Sequence, residues 1–133
     1  MSKPKINGRN KGAQFERDIC LRIEEGLGVK VSRNLEQYRT KDQGDIQGLD
    51  GWVIECKRRK TGSHFGKQDW LDQVYSATSN KEMPVLIIKY DYQPIFCVLP
   101  MFAICNDYES DNEFELIATV SFETWLFLAR EAM

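Results

Sequence analysis

Two acidic residues and one lysine in the first half of the chain have the types and spacing of a metal site that attacks phosphate esters. Asp45 follows Gly44, and Glu55 and Lys57 come ten and twelve residues later. Residues two apart along a strand share a face, so Glu55 and Lys57 are predicted to point the same way. Two carboxylates and a main-chain carbonyl are enough for Mg²⁺, which keeps several of its waters. An ammonium group beside the metal can then orient or stabilise an attacking water.

A strand must position these side chains. Residues 53–56 are rich in apolar and β-branched types and follow a turn over residues 49–51, as expected of a strand. Asp45 is predicted to lie on a neighbouring strand. Taken alone, the same residues also fit an edge strand that carries an ion pair across one face, so the rest of the chain has to decide.

The hydrophobic pattern along the whole chain predicts an α/β order of helix, three strands, helix, two or three strands and helix. Phe15, Ile19 and Ile23 recur every four residues and give the first helix an apolar stripe. Ser121 is a predicted cap for the last helix. The helices are predicted over residues 11–25, 67–80 and 121–132, the strands over 29–33, 53–56, 84–90, 94–99 and 114–120, and a helical turn over 101–105.

Length and composition predict one globular domain. The chain has 133 residues, of which 42% are hydrophobic and 29% charged. Residues 1–10 are polar and basic and are predicted to form a mobile arm, with a single domain over 11–133. No apolar run reaches the ~18 residues of a membrane span. The first residues also lack the apolar core of a signal peptide, so we expect a cytoplasmic protein without a membrane partner.

Charge is divided unevenly between the two halves of the chain. Residues 1–60 hold 14 Lys and Arg against 9 Asp and Glu, a net of +5, whereas residues 61–133 hold 4 against 11, a net of −7. The basic half contains Asp45, Glu55 and Lys57. A local basic field is typical of a protein that binds a phosphate backbone, although the whole chain has a net charge of −2.

The segment from Asp45 to Glu55-Cys56-Lys57 resembles the catalytic signature of the PD-(D/E)xK nuclease superfamily, with Gly44 in place of the proline that names it. The opening helix, with Phe15-Glu16-Arg17, is similar to that of the archaeal-type Holliday junction resolvases. That family also has an arginine after the first strand. Arg33 matches this arginine, and Arg39 is a competing candidate because the loop before Asp45 is long.

The resemblance implies a restriction-endonuclease-like core, with a central mixed β-sheet flanked by helices. It further implies a homodimeric, Mg²⁺-dependent endonuclease that cuts four-way DNA junctions, with Mn²⁺ able to substitute. Asp45, Glu55 and the Cys56 carbonyl would bind the metal, joined by Glu16 directly or through water, and Lys57 would position the attacking water. The DNA-binding residues implied in this way are Arg17, Arg33, Arg39, Arg58, Arg59 and Lys60.

Two other functions fit the sequence. One is a nuclease of the same fold that acts on other branched, nicked or single-stranded DNA. The other is a DNA-binding scaffold that kept the fold without cleaving. The presence of three acidic residues and a lysine argues against the scaffold, because a protein that binds no metal gains nothing from carboxylates that repel one another.

Overall fold

A computed structural model of the chain describes residues 8–35, 44–105 and 116–133. Within these ranges it contains three α-helices, six strands and one turn of 3₁₀ helix over Met101–Ala103. In chain order the helices and strands are α1 (Gly8–Leu27), β1 (Ser32–Arg33), β2 (Ile46–Gln47), β3 (Trp52–Arg59), α2 (Gln68–Ser76), β4 (Met83–Tyr90), β5 (Phe96–Pro100), β6 (Ile117–Ser121) and α3 (Phe122–Glu131).

The six described strands form one mixed sheet in the spatial order β1-β2-β3-β4-β5-β6. Only β3 and β4 are parallel, and helix α2 provides the crossover that a parallel pair needs. Their pairing is continuous from Trp52 opposite Met83 to Arg59 opposite Tyr90. The other neighbours are antiparallel. The predicted fold, a central mixed sheet flanked by helices, is therefore confirmed.

The sheet has a helical layer on each face. The apolar stripe of α1 packs with Phe122, Trp125 and Ala129 of α3 against one face, where Ile54, Ile87 and Leu99 are buried. Helix α2 covers the other face through Trp70, Leu71 and Val74. None of the helices in the described ranges is both long and apolar enough to span a membrane.

The order of elements agrees with the sequence-based prediction, but several boundaries differ. Helix α1 begins at Gly8, so residues 8–10 of the predicted arm are helical, and residues 1–7 lie outside the described part. Helix α2 ends at Ser76 instead of residue 80. The predicted first strand over 29–33 is reduced to Ser32–Arg33. At α3 the prediction is confirmed, since the Thr124 N–H donates to Ser121 Oγ at 3.1 Å.

Strand β3 differs most from its prediction, with eight residues where four were expected. The apolar pattern ends at Cys56 because Lys57, Arg58 and Arg59 are at least partly exposed. The backbone nevertheless stays extended, since all eight residues pair with β4. Backbone pairing with β4 therefore extends the strand beyond its apolar residues.

Candidate active site

Asp45 lies directly before β2 and is held against β3. Its backbone N–H donates to the Ile54 carbonyl at 2.7 Å, and its Oδ2 accepts the Cys56 N–H at 2.7 Å. Gly44 allows this close approach. A Cβ on Gly44 would lie 2.3 Å from the Ile54 carbonyl oxygen, so any side chain there would push Asp45 away from β3. Glycine therefore stands at this position for a steric reason.

Glu55 lies beside Asp45 in a buried setting. Only 2% of Glu55 is exposed, and 8% of Asp45. Burial, followed by the charge of Asp45 and a hydrogen bond to its carboxyl group, raises the pKa of Glu55 to about 9. The nearby Lys57 opposes this rise. Without a cation, Glu55 therefore keeps its proton at neutral pH.

The Cys56 carbonyl is directed toward the same place. Within a strand, the N–H and C=O of one residue point to the same neighbour. The Cys56 N–H donates to Asp45, so its carbonyl also faces the β2 side of β3. The described pairing of β2 with β3 involves only Ile46 opposite Ile54, which leaves this carbonyl beyond the end of the β2 pairing.

Lys57 extends from the same face of β3 as Glu55, as the two-residue spacing predicts. Its Nζ donates to Gln73 Oε1 at 2.9 Å, and Gln73 lies on α2. The helix that covers this face thus fixes the direction of the ammonium group. The resemblance to the PD-(D/E)xK nucleases implies a polar residue, often glutamine, on the following helix near this lysine, and Gln73 makes that contact.

Glu16 lies on α1 near the acidic pair but makes its own ion pair. Arg33 Nη2 is 3.5 Å from Glu16 Oε2. Burial raises the pKa of Glu16, and the charge of Asp45 adds to the rise, while Arg33 opposes it. Among the described residues, no group of three or more His, Cys, Asp or Glu side chains is arranged to hold a metal ion. The compact centre is therefore the Asp45–Glu55 pair, with Glu16 set back against Arg33.

Three of the predicted DNA-binding residues are consecutive, and the two on β3 lie on opposite faces of the sheet. Arg58 turns toward Asp91, with Nη2 2.6 Å from Oδ1, and only 16% of its side chain is exposed. Arg59 turns to the opposite face and lies 5.3 Å from the centroid of the Trp70 ring. Lys60 is exposed. The alternation of a strand separates neighbouring side chains in this way, so the three residues do not form one continuous patch.

The other predicted basic residues have different positions. Arg17 is exposed on α1, and Arg33 is at the end of β1 beside Glu16. Arg39 lies outside the described residues. The structure therefore brings Arg33 into the centre, and the choice between Arg33 and Arg39 as the phosphate contact stays a prediction.

Sequence reasoning missed Asn34, which braces the segment that carries Asp45. Asn34 is 7% exposed. Its Nδ2 donates to the Gly44 carbonyl at 3.2 Å, and its backbone N–H donates to the Asp45 carbonyl at 2.8 Å. A buried amide with such contacts fixes local geometry. Its position directly after Arg33 was the only signal in the sequence.

The chemistry of this donor set fits a divalent cation such as Mg²⁺. Two buried carboxyl groups lie side by side, the pKa of Glu55 is raised, and a carbonyl faces the same side of β3. A hard cation with oxygen ligands would replace the proton of Glu55 and relieve the repulsion between Asp45 and Glu55. Two carboxylates, one carbonyl and bound waters are a usual ligand set for Mg²⁺.

The protein has a mixed sheet flanked by helices, with Glu55 and Lys57 on β3 and Asp45 in the turn before β2. This arrangement defines the class of PD-(D/E)xK nucleases. Residues 7–127 match the family described as "Phage putative PDDEXK endonuclease", and the chain belongs to that family. Among curated proteins, none matches the sequence closely enough to indicate a relative.

A solved structure has a similar fold. It is the 1.6 Å structure of Archaeoglobus fulgidus Hjc, described as a Holliday junction resolvase from an archaeal hyperthermophile. The superposition has a TM-score of 0.58 at 16% sequence identity, and it covers 90% of this chain and 99% of Hjc. At this identity the likeness establishes a common fold.

The raised pKa of Glu55 predicts a pH-dependent stability that Mg²⁺ removes. The folded pKa of about 9 lies above the ordinary 4.5, so the folded protein binds more protons than the unfolded chain between these values. Metal-free protein should therefore lose thermal stability as the pH rises through this window. Saturating Mg²⁺ should stabilise the protein most at the alkaline end, because the ion takes the place of the proton.

The measurement is a melting temperature across pH, in EDTA and in Mg²⁺. Glu55→Gln provides the control, because its side chain does not titrate, and it should flatten the dependence in EDTA. Glu16 contributes in the same direction, so a smaller slope should remain. A wild-type protein whose stability rises with pH over this range would contradict the prediction.

Proposed function

We propose that the protein is a Mg²⁺-dependent, structure-selective endodeoxyribonuclease that hydrolyses phosphodiester bonds in opposed strands of four-way (Holliday) junctions. The observation that carries this proposal is the buried pair of Asp45 and Glu55, with the Lys57 ammonium group on the same face of β3. A buried acidic pair is costly for folding, and a bound metal ion is the simplest reason for keeping it.

Asp45, Glu55 and the Cys56 carbonyl would hold the ion, and Glu16 would contact it through water. When bound, Mg²⁺ neutralises charge on the phosphate and favours ionisation of a coordinated water. Mn²⁺ is expected to substitute, since it also binds oxygen ligands.

Lys57 has the role of positioning the attacking water. Its ammonium group can donate to a water oxygen while Gln73 accepts one of its other hydrogens. Because Gln73 fixes the ammonium group from α2, little reorganisation is needed when the substrate arrives.

The proposed DNA contacts surround this centre. Arg17 and Arg33 would hold the scissile phosphate, with Arg39 as the alternative to Arg33. Arg33 could exchange its contact with Glu16 for the phosphate, because the ion pair at 3.5 Å is long. Arg58, Arg59 and Lys60 would contact the flanking backbone, from different faces of β3.

A homodimer is proposed because two opposed cuts need two active sites at a fixed separation, which a two-fold axis provides. The fold shared with Hjc, whose description names a Holliday junction resolvase, supports the junction as substrate. Since that substrate is DNA, we propose that the protein acts in the cytoplasm.

The test is cleavage of a matched panel that has the same sequence in a four-way junction, a flap, a nicked duplex, a linear duplex and a single strand. We expect Mg²⁺-dependent cuts at symmetric positions in opposed strands of the junction, from a protein that sediments as a dimer. Preferential cleavage of the flap or the nicked duplex would replace the junction with that substrate. Binding without cleavage in either Mg²⁺ or Mn²⁺ would show that the protein is a DNA-binding scaffold instead of a nuclease.

A further inference from the structure

The turn between β4 and β5 presents one aromatic ring to solvent. Tyr92 is fully exposed, with a relative accessibility of 101%. Among the described residues it is also the only non-glycine residue with a positive φ, at 62°. Glycine adopts this conformation at no steric cost, whereas a tyrosine is strained there. The ring therefore contributes no packing to the fold, and its backbone carries a penalty.

The side chain before Tyr92 anchors the turn to the rest of the molecule. Asp91 accepts from Arg58 at 2.6 Å and from Lys11 of α1 at 3.5 Å. These two ion pairs connect the turn with β3 and with the first helix.

The backbone of the turn is held as well. The Asp91 N–H donates to the Lys60 carbonyl at 3.1 Å, and the Gln93 N–H donates to the Tyr90 carbonyl at 3.2 Å. The turn is thus fixed on both sides of Tyr92. A fixed turn presents the ring in one place, and a ligand that contacts the ring needs to order little of the protein.

The turn lies at the end of the sheet where β3 also ends, beyond Lys57. Lys57 pairs with Ile88, and Tyr92 comes four residues after Ile88. Strand β4 continues from Ile88 to Tyr90, about 7 Å at a rise of about 3.3 Å per residue, and the turn that presents Tyr92 follows directly. Arg59 and Lys60 are exposed along this part of β3 and its end. A DNA strand that runs from Lys57 toward the turn would therefore pass basic side chains.

We propose that Tyr92 stacks on a nucleobase that is exposed at a branch or a break in the DNA, near the scissile phosphate. The inference rests on the proposed nuclease function and specifies the feature of the substrate that is recognised.

Stacking would favour DNA with an unpaired or terminal base. Any base has a π face that can lie on an aromatic ring, and one such contact changes affinity by about 5-fold or more. In a continuous duplex both faces of each base are already covered by neighbouring bases. Tyr92 would thus add affinity for branched or broken DNA and little for intact duplex.

The variants are Tyr92→Gly, which removes the ring and relieves the backbone strain, and Tyr92→Trp, which keeps an aromatic face. Phe127→Ala is the matched control, because Phe127 is an exposed aromatic residue on α3, with 56% accessibility. We expect Tyr92→Gly to weaken binding to a four-way junction by about 5-fold or more in Ca²⁺, and to leave binding to a covalently closed circular duplex, which has no terminal base, unchanged. Tyr92→Trp and Phe127→Ala should bind both as the wild type does. The melting temperature of Tyr92→Gly should stay the same or rise.

A fluorescent adenine analogue, 2-aminopurine, placed at successive positions near the branch, locates the contact. Stacking on Tyr92 should alter its emission at one of these positions, and Tyr92→Gly should remove that change. Equal loss of affinity for junction and duplex, or no loss for either, would overturn the inference. So would a shift of Tyr92→Gly from dimer to monomer, because the ring would then belong to a protein interface.

Cleavage of the same junction by the wild type separates this inference from the proposed function. If the wild type cuts and Tyr92→Gly binds and cuts equally well, only the role of Tyr92 is wrong. If the wild type binds and stacks but does not cut, the nuclease function fails while the contact stands. If it binds no DNA, both fail.

Discussion

Asp45→Asn is expected to reduce DNA cleavage by at least about 10²-fold while the protein stays folded. The amide keeps an oxygen that can accept the Cys56 N–H, so the contact between Asp45 and β3 can survive. It loses the negative charge that would bind the metal, and such groups are worth about 10²- to 10³-fold in rate. The charge of Asp45 also raises the pKa of Glu55, so its removal should let that pKa fall.

The melting temperature of Asp45→Asn in EDTA should therefore hold or rise slightly, because folding then raises the pKa of Glu55 less. Binding of Mn²⁺, followed by calorimetry, should weaken in parallel with cleavage. Asp50→Asn is the control, since Asp50 is an exposed acid in the turn before β3. Wild-type cleavage by Asp45→Asn would remove Asp45 from the active site.

Lys57→Ala is expected to lower the rate of cleavage by at least ~10²-fold, the usual scale for one positioned electrostatic or acid–base group. DNA binding should persist, because the proposed phosphate contacts come from Arg17, Arg33 and the end of β3. Lys57→Arg should restore little activity. A planar guanidinium has a different shape from the compact ammonium group that donates to Gln73 at 2.9 Å.

The measurement is single-turnover cleavage of a four-way junction, alongside a binding titration in Ca²⁺. Lys81→Ala serves as the control, because Lys81 is an exposed lysine in the turn before β4. If Lys57→Ala cuts as fast as the wild type, the lysine is an ordinary surface charge and its proposed role in positioning the attacking water is wrong. If only DNA binding is lost, Lys57 acts as a phosphate contact instead.

The order of elements was accessible from the sequence because it depends on local periodicity. The apolar residues of α1 recur at helical spacing, and the burial of Phe15, Ile19 and Ile23 follows that pattern. Glu55 and Lys57 share a face because a strand alternates. The same alternation separates Arg58 from Arg59, although the two are adjacent in the sequence.

Element boundaries were less accessible because they depend on partners distant in sequence. Strand β3 reaches Arg59 through its pairing with β4, about thirty residues further along the chain. Helix α2 is shorter than predicted, since Thr78 Oγ1 donates to the Val74 carbonyl and the Glu82 carboxylate accepts from Ser79, contacts that form a turn after the helix.

The sequence by itself determined which residues could do chemistry, and the tertiary structure decided which of them meet. Asp45, Glu55 and Lys57 were recognisable from residue type and spacing. Their approach depends on the pairing of β2 with β3, on the missing side chain at Gly44 and on the brace from Asn34. The pKa of Glu55 is likewise a property of the fold, because burial and the nearness of Asp45 arise only when distant segments pack together. Local spacing fixes the direction of a side chain along its own element, whereas the distance between elements is set by the packing of the whole chain.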